Sequence, residues 1–163
     1  MQKIAAMLWF DGQAEEAAKF YTGIFPDSKI LRTVRVGEHG EKEIPGKPKK
    51  GSVLVVDFEV NGQRLSALNG GMQRKFTEAV SFCVYCKTQT ELDAYWKKLA
   101  AGGGKEVACG WLQDKYGLSW QVVPKKMVEW FGDPNEKSER AMTALLKMGK
   151  LDIAALERAY QGR

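Results

Sequence analysis

At 163 residues, with 44% hydrophobic and 28% charged side chains, the chain has the size and composition of a globular protein with a real core. Five Trp, five Tyr and seven Phe supply core bulk, and no apolar run approaches the ~20 residues needed to cross a bilayer. The net charge of +5 is scattered in pairs such as Lys49-Lys50, Lys97-Lys98 and Lys125-Lys126 among acidic residues, which argues against nucleic acid as a partner. The N-terminal stretch leads into a short strand without a signal-type apolar region, so the expected compartment is the cytoplasm.

The first apolar run, Ile4 to Phe10, reads as a strand closed by the turn pair Asp11-Gly12. Ala14, Ala17, Ala18, Tyr21 and Phe25 keep helical spacing over residues 13–25, with Glu15-Glu16 favourably placed in the first turn. Pro26-Asp27 stops that helix. The β-branched segment Lys29 to Val36 reads as a second strand. Residues 37–50, rich in Gly, Pro, Lys and Glu, read as a solvated loop that holds the only histidine, His39. Ser52 to Val60 alternates as a strand, Asn61-Gly62 is a hairpin signal, and Gln63 to Asn69 is the return strand.

After a linker from Met72 to Glu78, the plan repeats. Adding 75 turns Ala17 into Leu92, Phe20 into Tyr95, Tyr21 into Trp96 and Ile24 into Leu99. Ala79 to Tyr85 is the second module's first strand, and Thr88 or Thr90 can cap its helix. The run Gly102-Gly103-Gly104 ends the helix. Residues 106–113 and 118–123 read as strands around Asp114 to Gly117. The tail has no counterpart in the first half: Asp133-Pro134 reads as a helix start, Asn135 to Met148 as the helix, and Asp152 as the cap of a last short helix. A duplicated β-α-β-β-β unit buries its sheet faces by pairing into a curved sheet, and a curved sheet makes a binding cup. The fold expected is α+β: two βαβββ modules forming curved mixed sheets, plus C-terminal helices. The modules span 1–71 and 72–131, with a helical extension at 132–163, in one structural domain.

Three cysteines cannot make a disulfide framework. Cys83 and Cys86 match C-x-x-C, but in a strand residues three apart leave opposite faces, so neither a disulfide nor a redox pair is expected. With one histidine, no Ser-His-Asp or Cys-His arrangement is available. Carboxylates are present at Asp57, Glu59, Glu78 and Asp114, the first two on one strand face, more often the solvent side.

Four stretches carry a family resemblance: Trp9-Phe10-Asp11-Gly12-Gln13-Ala14-Glu15-Glu16-Ala17 leading to Phe20-Tyr21; Ala67 to Gly71; Phe76 to Phe82; and Cys109 to Gln121. Together they resemble the PhnB-like branch of the vicinal oxygen chelate (glyoxalase/bleomycin-resistance/dioxygenase) superfamily, over residues 3–160. That branch is often labelled 3-demethylubiquinone-9 3-methyltransferase. The methyltransferase reading is not expected to carry over, because Gly102 to Gly104 follows a helix and precedes a strand, the reverse of a cofactor-cradling turn.

Metal-using relatives take ligands from the first and last strand of each module. Aligned on the helix aromatics, the resemblance puts these positions on Ala6, Asn69, Ser81 and Gln121. Alanine cannot ligate, and the other three are neutral and poor donors, so neither metal nor cofactor is expected. The resemblance then implies a ligand cup lined by Ala6, Leu8, Phe10, Asn69, Ser81, Cys109, Trp111 and Gln121, with Ser119 and Val123 on the wall of Gln121. Trp111 is either a ligand platform or a core residue, and Trp9 and Trp120 fall under the helices. The expected function is metal-free binding of a small molecule, with a metal-independent enzyme as the alternative. The expected partners are that small molecule and a second copy of the chain, with exchange of modules as one arrangement of the homodimer.

Overall fold

The structure is a computed structural model that describes residues 3–44 and 46–163; residues 1 and 2, in the expected lead-in, and Pro45, in the 37–50 loop, lie outside the described residues. The chain divides between Lys75 and Phe76 into two compact units. The first holds β1 (Ala6–Phe10), α1 (Ala14–Ile24), β2 (Lys29–Arg35), α2 (Gly40–Glu43), β3 (Val53–Val60) and β4 (Gln63–Asn69). The second holds β5 (Ser81–Cys86), α3 (Gln89–Leu99), β6 (Lys105–Glu106), β7 (Trp111–Gln113) and β8 (Ser119–Pro124). It ends in α4 (Met127–Trp130), α5 (Glu136–Leu145) and α6 (Ile153–Gln161). The sheets have the same plan, β1-β4-β3-β2 and β5-β8-β7-β6. In each, the module's first strand lies parallel to its last and the other pairs are antiparallel. The architecture is the α+β pair of βαβββ modules with C-terminal helices that the sequence predicts.

One helix seats on one face of each sheet. α1 buries Ala14, Ala17, Ala18, Tyr21 and Ile24, and the Tyr21 ring stacks on Phe58 at 6.2 Å. Small alanines at the start of the helix let it approach the floor of Leu8, Phe10, Val56, Leu65 and Ala67, all buried. α3 buries Leu92, Trp96 and Leu99 over Leu112, Trp120 and Val122. Each fully buried leucine contributes about 1.5–3 kcal/mol of transfer free energy. Thr88 caps α3 by accepting from the Glu91 amide at 3.2 Å, and the Glu91 carboxylate accepts from the Lys87 amide at 2.7 Å. The Asn61-Gly62 hairpin has both residues left-handed, at φ 47° and 81°, as the tight turn between twisted strands requires.

Three local expectations are corrected. The single strand over 106–113 is broken, because Cys109 and Gly110 both take left-handed φ, 59° and 81°. The chain there turns back on itself, with the Val107 amide donating to the Trp111 carbonyl at 2.9 Å. The α5 start is set by Asn135 rather than Asp133: Asn135 Oδ1 accepts from the Lys137 and Ser138 amides, and Ser138 Oγ accepts from the Asn135 amide. The loop at 37–50 contains the one-turn helix α2, too short and too polar to leave a periodic signal.

The C-terminal helices belong to the second unit. Cys109 and Gly110 donate backbone bonds to the Met148 and Gly149 carbonyls at 2.7 and 2.8 Å. Gln89 grips the same segment twice, donating to the Leu151 carbonyl at 3.1 Å and accepting from the Ile153 amide at 2.9 Å. Leu151 and Leu156 are fully buried. Among the described residues no helix is long and apolar enough to cross a membrane.

Removing the cap with Asn135→Ala leaves two amides unpaired and is expected to lower unfolding stability by about 1 kcal/mol, read as a shift in the denaturation midpoint. The thiols give a second test. Cys83 is exposed and Cys86 buried; they pair in register with Gln121 and Pro124, on opposite faces of β5. Burial, and then the Glu91 carboxylate, push the Cys86 thiol up to about 12 from an ordinary 9.0. Iodoacetamide at neutral pH is therefore expected to label Cys83 and spare Cys86 until the chain unfolds. Because the unfolded thiol ionises where the native one does not, this residue's contribution to stability is full below pH 9 and falls as pH rises from 9 towards 12. Labelling of Cys86 as fast as Cys83 in the folded protein would contradict this.

Candidate functional site

Each sheet has a second face that its helix does not cover, and register partners share a face. In the first unit Ala6, Leu8 and Phe10 pair with Leu65, Ala67 and Asn69, and Leu65 and Ala67 pair with Phe58 and Val56. Phe58 is the residue on which Tyr21 of α1 stacks, so this whole set lies on the helix side. Leu8 and Phe10 are buried there and floor the core, which departs from the expectation that they line a ligand cup, while Ala6 shares their face but is exposed at the start of the strand. Asn69 is likewise committed: its Oδ1 accepts from the Ala14 amide at the start of α1, 2.9 Å, and its Nδ2 donates to the Val53 carbonyl, 3.0 Å.

The cause of the error is one residue. Three residues separate β1 from α1, but only two separate β5 from α3. The offset between modules is 75 in the helices and 76 in the first strands, and a slip of one flips every side chain to the other face. The residues on the face away from α1 are thus Met7 and Trp9, with Ser66 and Leu68 opposite them on β4. On β3 the same face carries Val55, Asp57 and Glu59. Trp9, expected under the helix, is half-buried on this open face. Its indole N–H donates to the Met72 carbonyl at 2.7 Å, and the Arg74 guanidinium lies over its ring at 5.8 Å. A Cβ at Gly70 would fall 1.9 Å from that ring, so only glycine leaves Trp9 its seat.

Polar chemistry on this face centres on Asp57, which sequence reasoning set aside. Ser66 Oγ donates to Asp57 Oδ1 at 2.7 Å, and Arg32 Nε and Nη2 donate to Oδ2 at 2.9 and 2.7 Å. The Ser66 hydroxyl, and after it Arg32, hold the carboxyl below its ordinary value. Asp57 is therefore a neutralised, ionised anchor rather than a base tuned near neutrality. An open concavity of ≈ 520 Å³ runs along Ala5, Arg32, Asp57, Arg64 and Ser66.

In the second unit the faces fall as the alternation predicts. Phe82 pairs with Trp120 and packs on it at 5.4 Å, on the α3 side. Trp120 is 3% exposed, and its indole N–H donates to Asp114 Oδ2 at 2.9 Å. Asp114 also accepts from the Tyr116 and Leu118 amides, which makes it a turn anchor. The other face carries Ser81, Cys83 and Tyr85 on β5, Ser119, Gln121 and Val123 on β8, and Trp111 and Gln113 on β7. Gln121 Nε2 donates to Ser81 Oγ at 2.9 Å. Trp111 is half-buried beside Gln121, away from α3. Cys109 lies in the β6–β7 turn, outside the ladder, with its amide tied to the tail.

With the strand offset set right, Ser81 and Gln121 correspond to Ala5 and Ser66 in the first unit. Neither sheet offers an imidazole or a carboxylate at these positions, and the oxygens present are hydroxyls and an amide, weak donors for a divalent cation. His39 is exposed at the start of α2. Among the described residues no group of three or more His, Cys, Asp or Glu side chains could hold a metal ion. The residues present do not fit the superfamily's metal centre.

A family model described as 3-demethylubiquinone-9 3-methyltransferase matches residues 2–123. Among solved structures, a putative 3-demethylubiquinone-9 3-methyltransferase, PhnB protein, from Bacillus cereus is 36% identical; the match covers 76% of this chain and 99% of that one, at a TM-score of 0.65. A Pseudomonas aeruginosa protein is 17% identical over 74% of this chain and 95% of its own, at a TM-score of 0.56. The fosfomycin resistance protein FosX from Mesorhizobium loti is 11% identical over 82% of this chain and all of its own, at 0.51. The last two show shared fold alone. No protein of curated function matches the sequence. On the family match and the paired βαβββ modules together, the chain belongs to the PhnB-like family described as 3-demethylubiquinone-9 3-methyltransferase, a branch of the glyoxalase/bleomycin-resistance, or vicinal oxygen chelate, superfamily.

Proposed function

We propose that the chain is a metal-free small-molecule-binding protein of the glyoxalase/bleomycin-resistance type, acting as a homodimer in the cytoplasm. The observation that carries this reading is the furnishing of the sheet faces away from the helices. They hold aromatic and soft side chains (Trp9, Met7, Trp111, Tyr85) beside uncharged hydrogen-bonding groups (Ser66, Ser81, Gln121), the mixture that binds and orients small organic molecules. No nucleophile on these faces has a neighbouring histidine to activate it. A metal-independent enzyme is the second reading, and Gln121 is the group that favours it. Of the other two groups it would use, Asn69 has spent its amide on α1 and β3, and Cys109 lies in a turn.

The methyltransferase reading fits the fold poorly. The glycine run at 102–104 joins the end of α3 to β6, so no helix N-terminus follows it to meet an anionic cofactor. The homodimer is supported by α5. Its Ala141 and Leu145 are buried, while Met142 and Leu146 on the adjoining stripe are 40% and 64% exposed, apolar surface that a second copy would cover.

Two measurements on purified protein test this. Elemental analysis is expected to find no stoichiometric zinc, nickel, iron or manganese, and chelators should leave the melting temperature unchanged; stoichiometric metal would overturn the donor-set argument. Light scattering at micromolar concentration should report a dimer, and native mass spectrometry a chain that takes up small organic molecules one per subunit. A monomer, or a chain that binds none from a fragment library, would defeat the proposal.

A further inference from the structure

Among the described residues one buried side-chain oxygen has no hydrogen-bond partner: Ser119 Oγ. Leaving a buried hydroxyl unpaired is costly, and native structures do it seldom. Ser119 is fully buried, stands on the face of the second sheet away from α3, and has Ser81 on one side and Gln113 on the other in the ladder. Neither neighbour serves it. Ser81 Oγ accepts from Gln121 Nε2 at 2.9 Å, which leaves the Ser81 proton unspent. Gln113 turns its amide away to donate to Glu78 Oε1 at 2.9 Å. Across the row Trp111 stands in register with Gln121.

Ser81 and Ser119 thus stand as register partners on neighbouring strands, with Trp111 on the next strand along the same face. The row from Ser81 through Ser119 and Gln121 to Trp111 carries no charge. The charged groups at its margin are Glu78, held by Gln113, and Lys105, in register with Gln113 at the sheet edge. Burying a ligand's charge against such a row would leave it without a counter-ion, at a cost that neutral donors do not repay. A neutral acceptor meets what the row lacks.

Resting on the binding reading above, we infer that the small molecule recognised by the second sheet is uncharged and planar, presenting a carbonyl-type oxygen to the Ser81 and Ser119 hydroxyls while its ring lies against Trp111. Ser119 is fully buried, so entry requires the side chains around it to move.

Three probes with one ring and different heads separate the possibilities: benzamide, benzoate and benzylammonium, titrated into the full-length, 15N-labelled protein. Benzamide is expected to shift the Ser81, Ser119 and Gln121 resonances and the Trp111 indole, saturably and at least tenfold more tightly than the two ions. Ser119→Ala is expected to weaken benzamide roughly three- to tenfold with no fall in melting temperature, since it removes an unpaired group. Ser81→Ala, at a half-buried position, should weaken benzamide in the same range. Equal or tighter binding of benzoate or benzylammonium at these resonances would overturn the neutral-acceptor inference while leaving small-molecule binding intact. Benzamide that moves none of these resonances, or affinity unchanged in both serine variants, would overturn it as well.

Discussion

Which side chains each sheet leaves uncovered is decided by the face that its helix occupies. Side chains alternate along a strand, so once Tyr21 stacks on Phe58 and Trp96 is buried in α3, alternate residues of the inner strands are committed to the core. The remaining half is left out as a consequence, not by separate design. In the first unit the helix claims Leu8, Phe10, Val56, Leu65 and Ala67, and what it leaves is Trp9, Met7, Asp57 and Ser66. In the second it claims Trp120, Val122 and Leu112, and leaves Ser81, Gln121 and Trp111. The chemical character of each open face is set by the packing of the opposite one.

The duplicated plan, the longer helices α1, α3, α5 and α6, the Asn61-Gly62 hairpin and the faces of β5 and β8 were legible in the sequence, because each rests on a periodicity, a cap or a turn pair. The face of β1 was not. Its reading depended on carrying the helix offset of 75 back through the β1–α1 turn, and a turn of three residues in place of two leaves no periodic mark of its own. Asn69 was misread for a related reason: its amide serves a helix start 55 residues earlier, a partnership no local pattern announces. The strand at 106–113 broke because Cys109 takes a left-handed conformation that its residue type gives little reason to expect. Asp57 was visible, but its ties to Ser66 and Arg32 needed the strand pairing to appear.

The two modules have diverged on their open faces while keeping their topology. The first presents an ionised, paired carboxylate among arginines; the second presents uncharged hydroxyls and amides. The C-terminal helices are a third element, lying beyond the 2–123 stretch that the family model matches. They are bound to the second unit through Gln89, the 109–110 turn and the buried Leu151 and Leu156. The family's descriptive label names a transferase activity, whereas the binding function proposed above rests on the donors, acceptors and aromatic rings that the sheets carry away from their helices.

The most direct test of this account is a fragment screen on the full-length, isotope-labelled protein, read residue by residue from chemical shifts. The account predicts that hits converge on the faces away from α1 and α3, moving resonances of Met7, Trp9 and Ser66 or of Ser81, Trp111 and Gln121, while the buried Leu8 and Phe10 and the hydrogen-bonded Asn69 stay unaffected. Hits that converge on Leu8, Phe10 and Asn69, or that avoid both open faces, would contradict it.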